Sequence, residues 1–175
     1  MVAEGLVPGT DERLVSCACG QVQLAVRGAP ILTAACYCDD CQAGAEKLEA
    51  LPGARPFHDA DGGTWMALYR KDRHRVVRGG ERLERTKLKP KSGTNRVVAR
   101  CCNSAMLVDF DAGPHWISIY RPGYAGDLPP LEMRLQTRFA PDPAKIPSNV
   151  PVYRTYPLSF IGRLIGARIA MLFGR

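Results

Sequence analysis

Cys36-Tyr37-Cys38-Asp39-Asp40-Cys41 crowds three thiols into six residues, a spacing that lets one loop wrap one metal ion. Cys17-Ala18-Cys19-Gly20 precedes it, the adjacent Cys101-Cys102 follow it, and these clusters hold all seven cysteines of the 175-residue chain. In extended backbone, residues two apart point to one side, so Cys17 with Cys19, and Cys36 with Cys38, can offer their sulfurs together. Gly20 lets the chain turn tightly behind the first pair. Tetrahedral zinc is closed by four protein ligands in structural sites and keeps a position for water or substrate in catalytic ones. Three sulfurs with no neighbouring fourth ligand fit an open site, or one closed by a distant residue, for which His58 is the nearest imidazole in sequence.

Outward from these clusters, the sequence reads as a mainly β protein. Gly (17) and Pro (14) are frequent, which favours short strands joined by turns. Val22, Leu24 and Val26 alternate with Gln21, Gln23 and Arg27, the period of a half-buried strand. Further strands are expected over 31–35, 65–69, 75–77, 83–88, 97–100, 107–110 and 116–120, with a short helix over 42–51 stopped by Pro52-Gly53. The loop 57–64 carries His58, Asp59 and Asp61, which could serve a site or simply be solvated. The organisation expected is a loose arm over 1–13, one β domain over 14–120, a Pro-rich surface segment over 121–157, and an amphipathic helix over 158–175. In that helix Ser159 can cap, while Ile161, Leu164, Ile165, Ile169 and Leu172 share a face. Gly162, Gly166 and Ala170 make a stripe of small residues, suited to docking on the domain, on a sister copy as a homo-oligomer contact, or at a membrane surface.

The formal charge is +7; seven thiolates and two divalent ions would change it to about +4. Basic residues cluster from Arg70 to Lys91, with only Tyr69 nearby as a stacking aromatic, which reads as a solvated face and not as a specific nucleic-acid reader. The chain begins without a basic, apolar leader, and no stretch reaches the roughly 18 apolar residues of a transmembrane segment. A cytoplasmic location is expected, where a cysteine framework of odd number binds metal more often than it forms disulfides.

Together, Cys17-x-Cys19-Gly20-x-Val22 and Cys36-x-Cys38-x-x-Cys41 with a distant third element resemble the glutathione-dependent formaldehyde-activating enzyme family, the GFA domain, over about residues 14–120. The resemblance implies a β-tent of the Mss4-like type with two Zn2+ per chain. Cys17 and Cys19 would join the distant cysteines in a closed structural site. Cys36, Cys38 and Cys41 would hold a second zinc beside a pocket for a small-molecule thiol. The implied activity is that of a carbon–sulfur lyase or synthase, condensing formaldehyde with the glutathione thiol. This chain departs from the pattern in three places. Ala99 stands where the third element usually has its first cysteine, with Cys101 as substitute, and both Cys101 and Cys102 can serve one ion only if the backbone bends there. Tyr37 replaces the usual His, and Gln42-Ala43 replaces the usual Arg-Lys, so the chain reads as a divergent branch. The alternative to catalysis is a non-catalytic zinc-binding structural or interaction module. An iron–sulfur cluster or a redox pair at Cys38-x-x-Cys41 would use the same thiols.

Overall fold

The computed structural model describes residues 11–126 and 129–174; the greater part of the expected N-terminal arm lies outside them. Among the described residues, the chain forms ten strands and two α-helices, so the mainly β class with a C-terminal helix holds. β1 (Glu12–Ser16), β2 (Gln23–Arg27) and β5 (His74–Arg78) form a three-stranded sheet in the order β1-β2-β5. The larger sheet comprises β3 (Leu32–Cys36), β4 (Thr64–Arg70), β6 (Leu83–Thr86), β7 (Thr94–Ala99), β8 (Ser104–Phe110), β9 (Trp116–Tyr120) and β10 (Met133–Leu135). Its order is β10-β3-β4-β9-β8-β7-β6.

β4 shows why the molecule has two cores. Its successive side chains point to opposite faces. Trp65, Ala67 and Tyr69 join Val15, Leu24, Val26, Met106 and Ile117 between the two sheets. Met66 and Leu68 join Leu32, Leu48, Tyr120 and Leu135 on the opposite face, under the helices α1 (Asp39–Glu49) and α2 (Leu158–Leu172). The three cysteines of the 36–41 loop belong to this helical layer, whereas Cys17, Cys101 and Cys102 pack at the sheet–sheet layer. The fold therefore places the two clusters in different layers.

Three expectations are corrected. Residues 121–157 do not simply run over the surface: Met133–Leu135 is buried and pairs in parallel with Ala34–Cys36, the edge of the large sheet. The arm expected over 1–13 ends earlier, because Glu12 and Arg13 already pair with Arg27 and Val26. Helix α2 begins one residue before Ser159, has Pro157 at its N-cap and makes no side-chain cap bond. Its expected apolar face also divides. Leu164 is buried and Phe160 packs beside it, but Ile161, Ile165, Ile169 and Leu172 are exposed. Nothing lies within 4 Å of where a side chain at Gly162 or Gly166 would start. The helix is apolar on more than one side, and its sequence alone does not choose which side docks.

Burying a single leucine contributes about 1.5–3 kcal/mol, so α2 is held mainly by Leu164, Phe160 and a few polar ties. One tie is Arg163 to Glu132. Another is His115, whose Nε2 donates to the Leu164 carbonyl at 2.8 Å. Burial lowers the His115 pKa below its ordinary value; the Leu164 carbonyl opposes this, while Arg168, Arg70 and Lys71 add to it. A base whose pKa is lowered by folding takes up its proton more readily when unfolded, so its contribution is present above about pH 6.5 and is lost on acidification. Hydrogen exchange of the α2 amides should accelerate between about pH 7.5 and about pH 5.5, beyond the intrinsic chemical trend. Unchanged protection of α2 across that range would contradict this role for His115.

The basic run from Arg70 to Lys91 is partly neutralised by ion pairs. Arg70 pairs with Asp72, Arg75 with Glu12, Arg85 with Asp109 and Lys87 with Asp111. No helix among the described residues is long and apolar enough to cross a membrane.

Candidate metal centres

Cys17, Cys19, Cys101 and Cys102 converge, although they come from two distant turns. The first turn follows β1, where Gly20 adopts a φ of +73° and its amide donates to the Cys17 carbonyl at 3.0 Å. The second follows β7. That strand ends at Ala99, and the amide of Cys102 bonds back to the Ala99 carbonyl at 3.2 Å. Asn103 then takes a φ of +53°, a left-handed conformation that asparagine tolerates better than most side chains. The backbone therefore bends where the adjacent cysteines required it to.

The sulfur separations test whether this set suits zinc. Four sulfurs at Zn–S of about 2.3 Å in a tetrahedron lie about 3.8 Å from one another. The distances are 3.6 Å for Cys17–Cys19, 3.7 Å for Cys17–Cys101, 3.4 Å for Cys19–Cys101 and 3.9 Å for Cys101–Cys102. All four sulfurs lie within 4.8 Å of one another, and none of the seven cysteines is in a disulfide. Supporting donors are also in place. The Val22 amide donates to Cys17 Sγ at 3.2 Å, and Ser104 Oγ lies 3.1 Å from Cys102 Sγ. Ser104 Oγ in turn accepts from the Ala18 amide at 2.9 Å, tying one turn to the other. Burial alone would raise the Cys102 pKa, but the Ser104 hydroxyl and neighbouring amides outweigh it and bring the thiol down to about 6.

Cys36, Cys38 and Cys41 form the second group, again with all sulfurs within 4.8 Å. β3 delivers Cys36, Cys38 is the N-cap of α1, and Cys41 lies in the first turn of that helix. The positive end of α1 favours negative charge at this point. Within the cluster Cys38 is the preferred thiolate: hydrogen bonds from Cys36 and then Cys41 hold its pKa far below the ordinary thiol value. Cys36 is pushed up first by its hydrogen bond with Cys38 and then by burial, against an opposing bond with Cys41, and Cys41 is pushed up by its bonds with Cys36 and Cys38 and then by burial.

His58 is not among these ligands; its Nε2 faces Gln42 Oε1 at 3.1 Å. Gln42 and Tyr37 also point elsewhere. Gln42 Nε2 donates to the Gly62 carbonyl at 2.6 Å. Tyr37 is fully buried; its hydroxyl donates to Asp61 at 2.9 Å and accepts from Arg134 at 2.7 Å. Arg134 and Asp61 are paired at 2.9 Å with side chains only 7% and 12% exposed. This network fastens the three-thiol loop to β10 and to the loop 57–64. Breaking such a buried pair from one side costs about 3–5 kcal/mol. The carboxylate of Asp61 is thus a structural partner, and it does not join the thiols.

A cavity of about 380 Å³ opens beside the three thiols, between the helical face of the large sheet and α2. Cys36, Cys38 and Cys41 line one part of it, and Phe110, Trp116 and Phe160 line another. Arg96, Ser118 and Tyr120 supply polar groups to its wall. Sequence reasoning missed Arg96 and the covering role of the tail. Gly44 was the available signal for Arg96. A glycine inside a helix costs about 1 kcal/mol relative to alanine. Here a Cβ would fall 2.3 Å from Arg96 Nε, so the glycine makes room for the guanidinium.

Comparison with known proteins supports the resemblance over part of the chain. Residues 13–52 match the family model described as glutathione-dependent formaldehyde-activating enzyme, a span that includes Cys17, Cys19, Cys36, Cys38 and Cys41. No curated protein matches the chain. A crystal structure of a Rhodobacter sphaeroides protein is similar over 79% of this chain and 98% of that chain, at 18% sequence identity and a TM-score of 0.48.

Proposed function

We propose that this protein is a GFA-like β-tent enzyme holding two zinc ions, and that it makes or breaks a carbon–sulfur bond in a small thiol adduct. The observation that carries this reading is the three-thiol cluster facing a cavity with no fourth protein ligand among the described residues. In it Cys17, Cys19, Cys101 and Cys102 hold a closed structural site, and Cys36, Cys38 and Cys41 hold the site at the cavity. Zinc bound there supplies Lewis acidity and makes a substrate thiol easier to ionise.

The chain's own residues do the rest. In the synthetic direction the substrate sulfur bonds to the aldehyde carbon, the carbonyl π bond breaks, and the thiol proton ends on the new hydroxyl oxygen. Tyr120 is kept protonated by its complete burial, and negatively charged thiols nearby reinforce this. It is the hydrogen-bond donor on the cavity wall for the oxygen that gains charge. The apolar side chains exclude water, which keeps the aldehyde from hydrating before the thiol adds to it. The test is turnover of thiol–aldehyde pairs by the zinc-loaded protein, with loss of turnover in the Cys38 variant described below.

A second reading rests on a different observation. Ile161, Ile165, Ile169 and Leu172 leave an apolar stripe on the outer side of α2, which suits a non-catalytic module or a homo-oligomer contact. A zinc-loaded protein without turnover on any thiol–aldehyde pair, and dimeric by light scattering, would favour it.

A further inference from the structure

Arg96 is only 3% exposed, yet it lines the cavity beside the three-thiol loop. Its Nη2 donates to the carbonyl of Asp40, the residue just before Cys41, and among the described residues no carboxylate pairs with its guanidinium. The Asp40 carboxylate is itself 58% exposed and leans towards Lys89 at 4.0 Å. A cation taken out of water without a counter-ion is costly, and such groups persist where an anion is to be met. The chain also gives up a side chain at Gly44 to seat this one. Asp40 and the three thiols also line the cavity, and the rest of the wall is largely apolar, with Met66, Leu68, Phe110, Trp116, Leu135 and Phe160.

We infer that the ligand of this cavity carries a single anionic group, held by Arg96, on an apolar ring-sized body held by Phe110, Trp116 and Phe160. Its thiol or carbonyl end then lies towards Cys36, Cys38 and Cys41. This deepens the proposed function, on which it rests, by naming a substrate class. A monoanionic apolar thiol adduct fits the cavity. Glutathione does not, since its two carboxylates and its ammonium would meet one inward-facing cation and a mostly apolar wall.

The test is calorimetric binding to the zinc-loaded protein, with phenylacetate and its neutral isostere phenylacetamide as probes. A hydrogen-bonded charge pair in such a site favours the anion by about tenfold or more, so phenylacetate should bind at least that much tighter. Arg96→Gln should erase the preference while leaving phenylacetamide binding within about twofold, and Arg96→Lys should keep part of it. Glutathione should not displace phenylacetate. Equal binding of the two probes by the unaltered protein overturns the inference, and that comparison needs no variant. So does an Arg96→Gln protein that keeps the preference but loses zinc more readily, which would assign Arg96 to balancing the thiolates. Selective phenylacetate binding without any thiol–aldehyde turnover would defeat the catalytic reading and leave the ligand class standing.

Discussion

Cys17→Ser is expected to give a protein that does not fold: insoluble on expression, or soluble without a cooperative thermal transition. The reason lies in what the four-sulfur site joins. Cys17 and Cys19 sit on the turn between two strands of the small sheet, and Cys101 and Cys102 sit on the turn between two strands of the large one. Cys17 itself is 4% exposed and accepts the Val22 amide, so the substitution removes a ligand and disturbs that turn at once. Structural zinc in small thiolate sites contributes about 10–16 kcal/mol of apparent binding free energy, comparable with the whole stability of a domain at about 5–15 kcal/mol. Chelation of the unaltered protein should therefore produce the same unfolding, reversed by added zinc. A soluble Cys17→Ser protein with the parental Tm would show that the cluster is not what holds the sheets together.

Cys38→Ser should have the opposite profile, with function lost and fold retained. Serine is among the preferred N-cap residues, so α1 keeps its start after the change. The tie through Tyr37, Asp61 and Arg134 still anchors the loop. Without the thiol that is most readily ionised, however, the cavity site retains two sulfurs and should lose its ion. Lewis-acid assistance amounts to several kcal/mol at the transition state, and each 1.36 kcal/mol is tenfold, so turnover should fall by about 10³-fold. Far-UV circular dichroism should be unchanged, and one zinc per chain should remain. Parental turnover in this variant would remove the three-thiol site from the chemistry.

The contrast between these variants reflects what local sequence reveals. The ligand spacings were readable because a thiol pair two apart, or a thiol three further on, meets its neighbours through local backbone geometry. The alternation of Val22, Leu24 and Val26 was readable for the same reason, and so was a helix over 42–51, although it starts earlier, at Asp39, and ends at Glu49. What depended on distant partners was not. Met133-Arg134-Leu135 is three residues in a segment rich in proline, and it becomes a strand only because β3 offers a free edge. The convergence of Cys101 and Cys102 required a bend that Asn103 provides, and asparagine also serves ordinary turns. Tyr37 and Gln42 looked like changes to the reactive site, but their side chains bond to the loop behind it. Conversely, nothing in the sequence around Arg96 marks it out, and the space it occupies is left by Gly44, far away in the chain. The tail announced an amphipathic helix, while its docking through Leu164 over the cavity depends on shape that no periodicity encodes.

Metal analysis of protein purified without chelator tests the account most directly. Two thiolate sites of this geometry predict a colourless protein with two zinc ions per chain, one of them released first on mild acidification or weak chelation. A folded protein of normal thermal stability that contains no metal, or one that carries iron with visible absorbance, would contradict it.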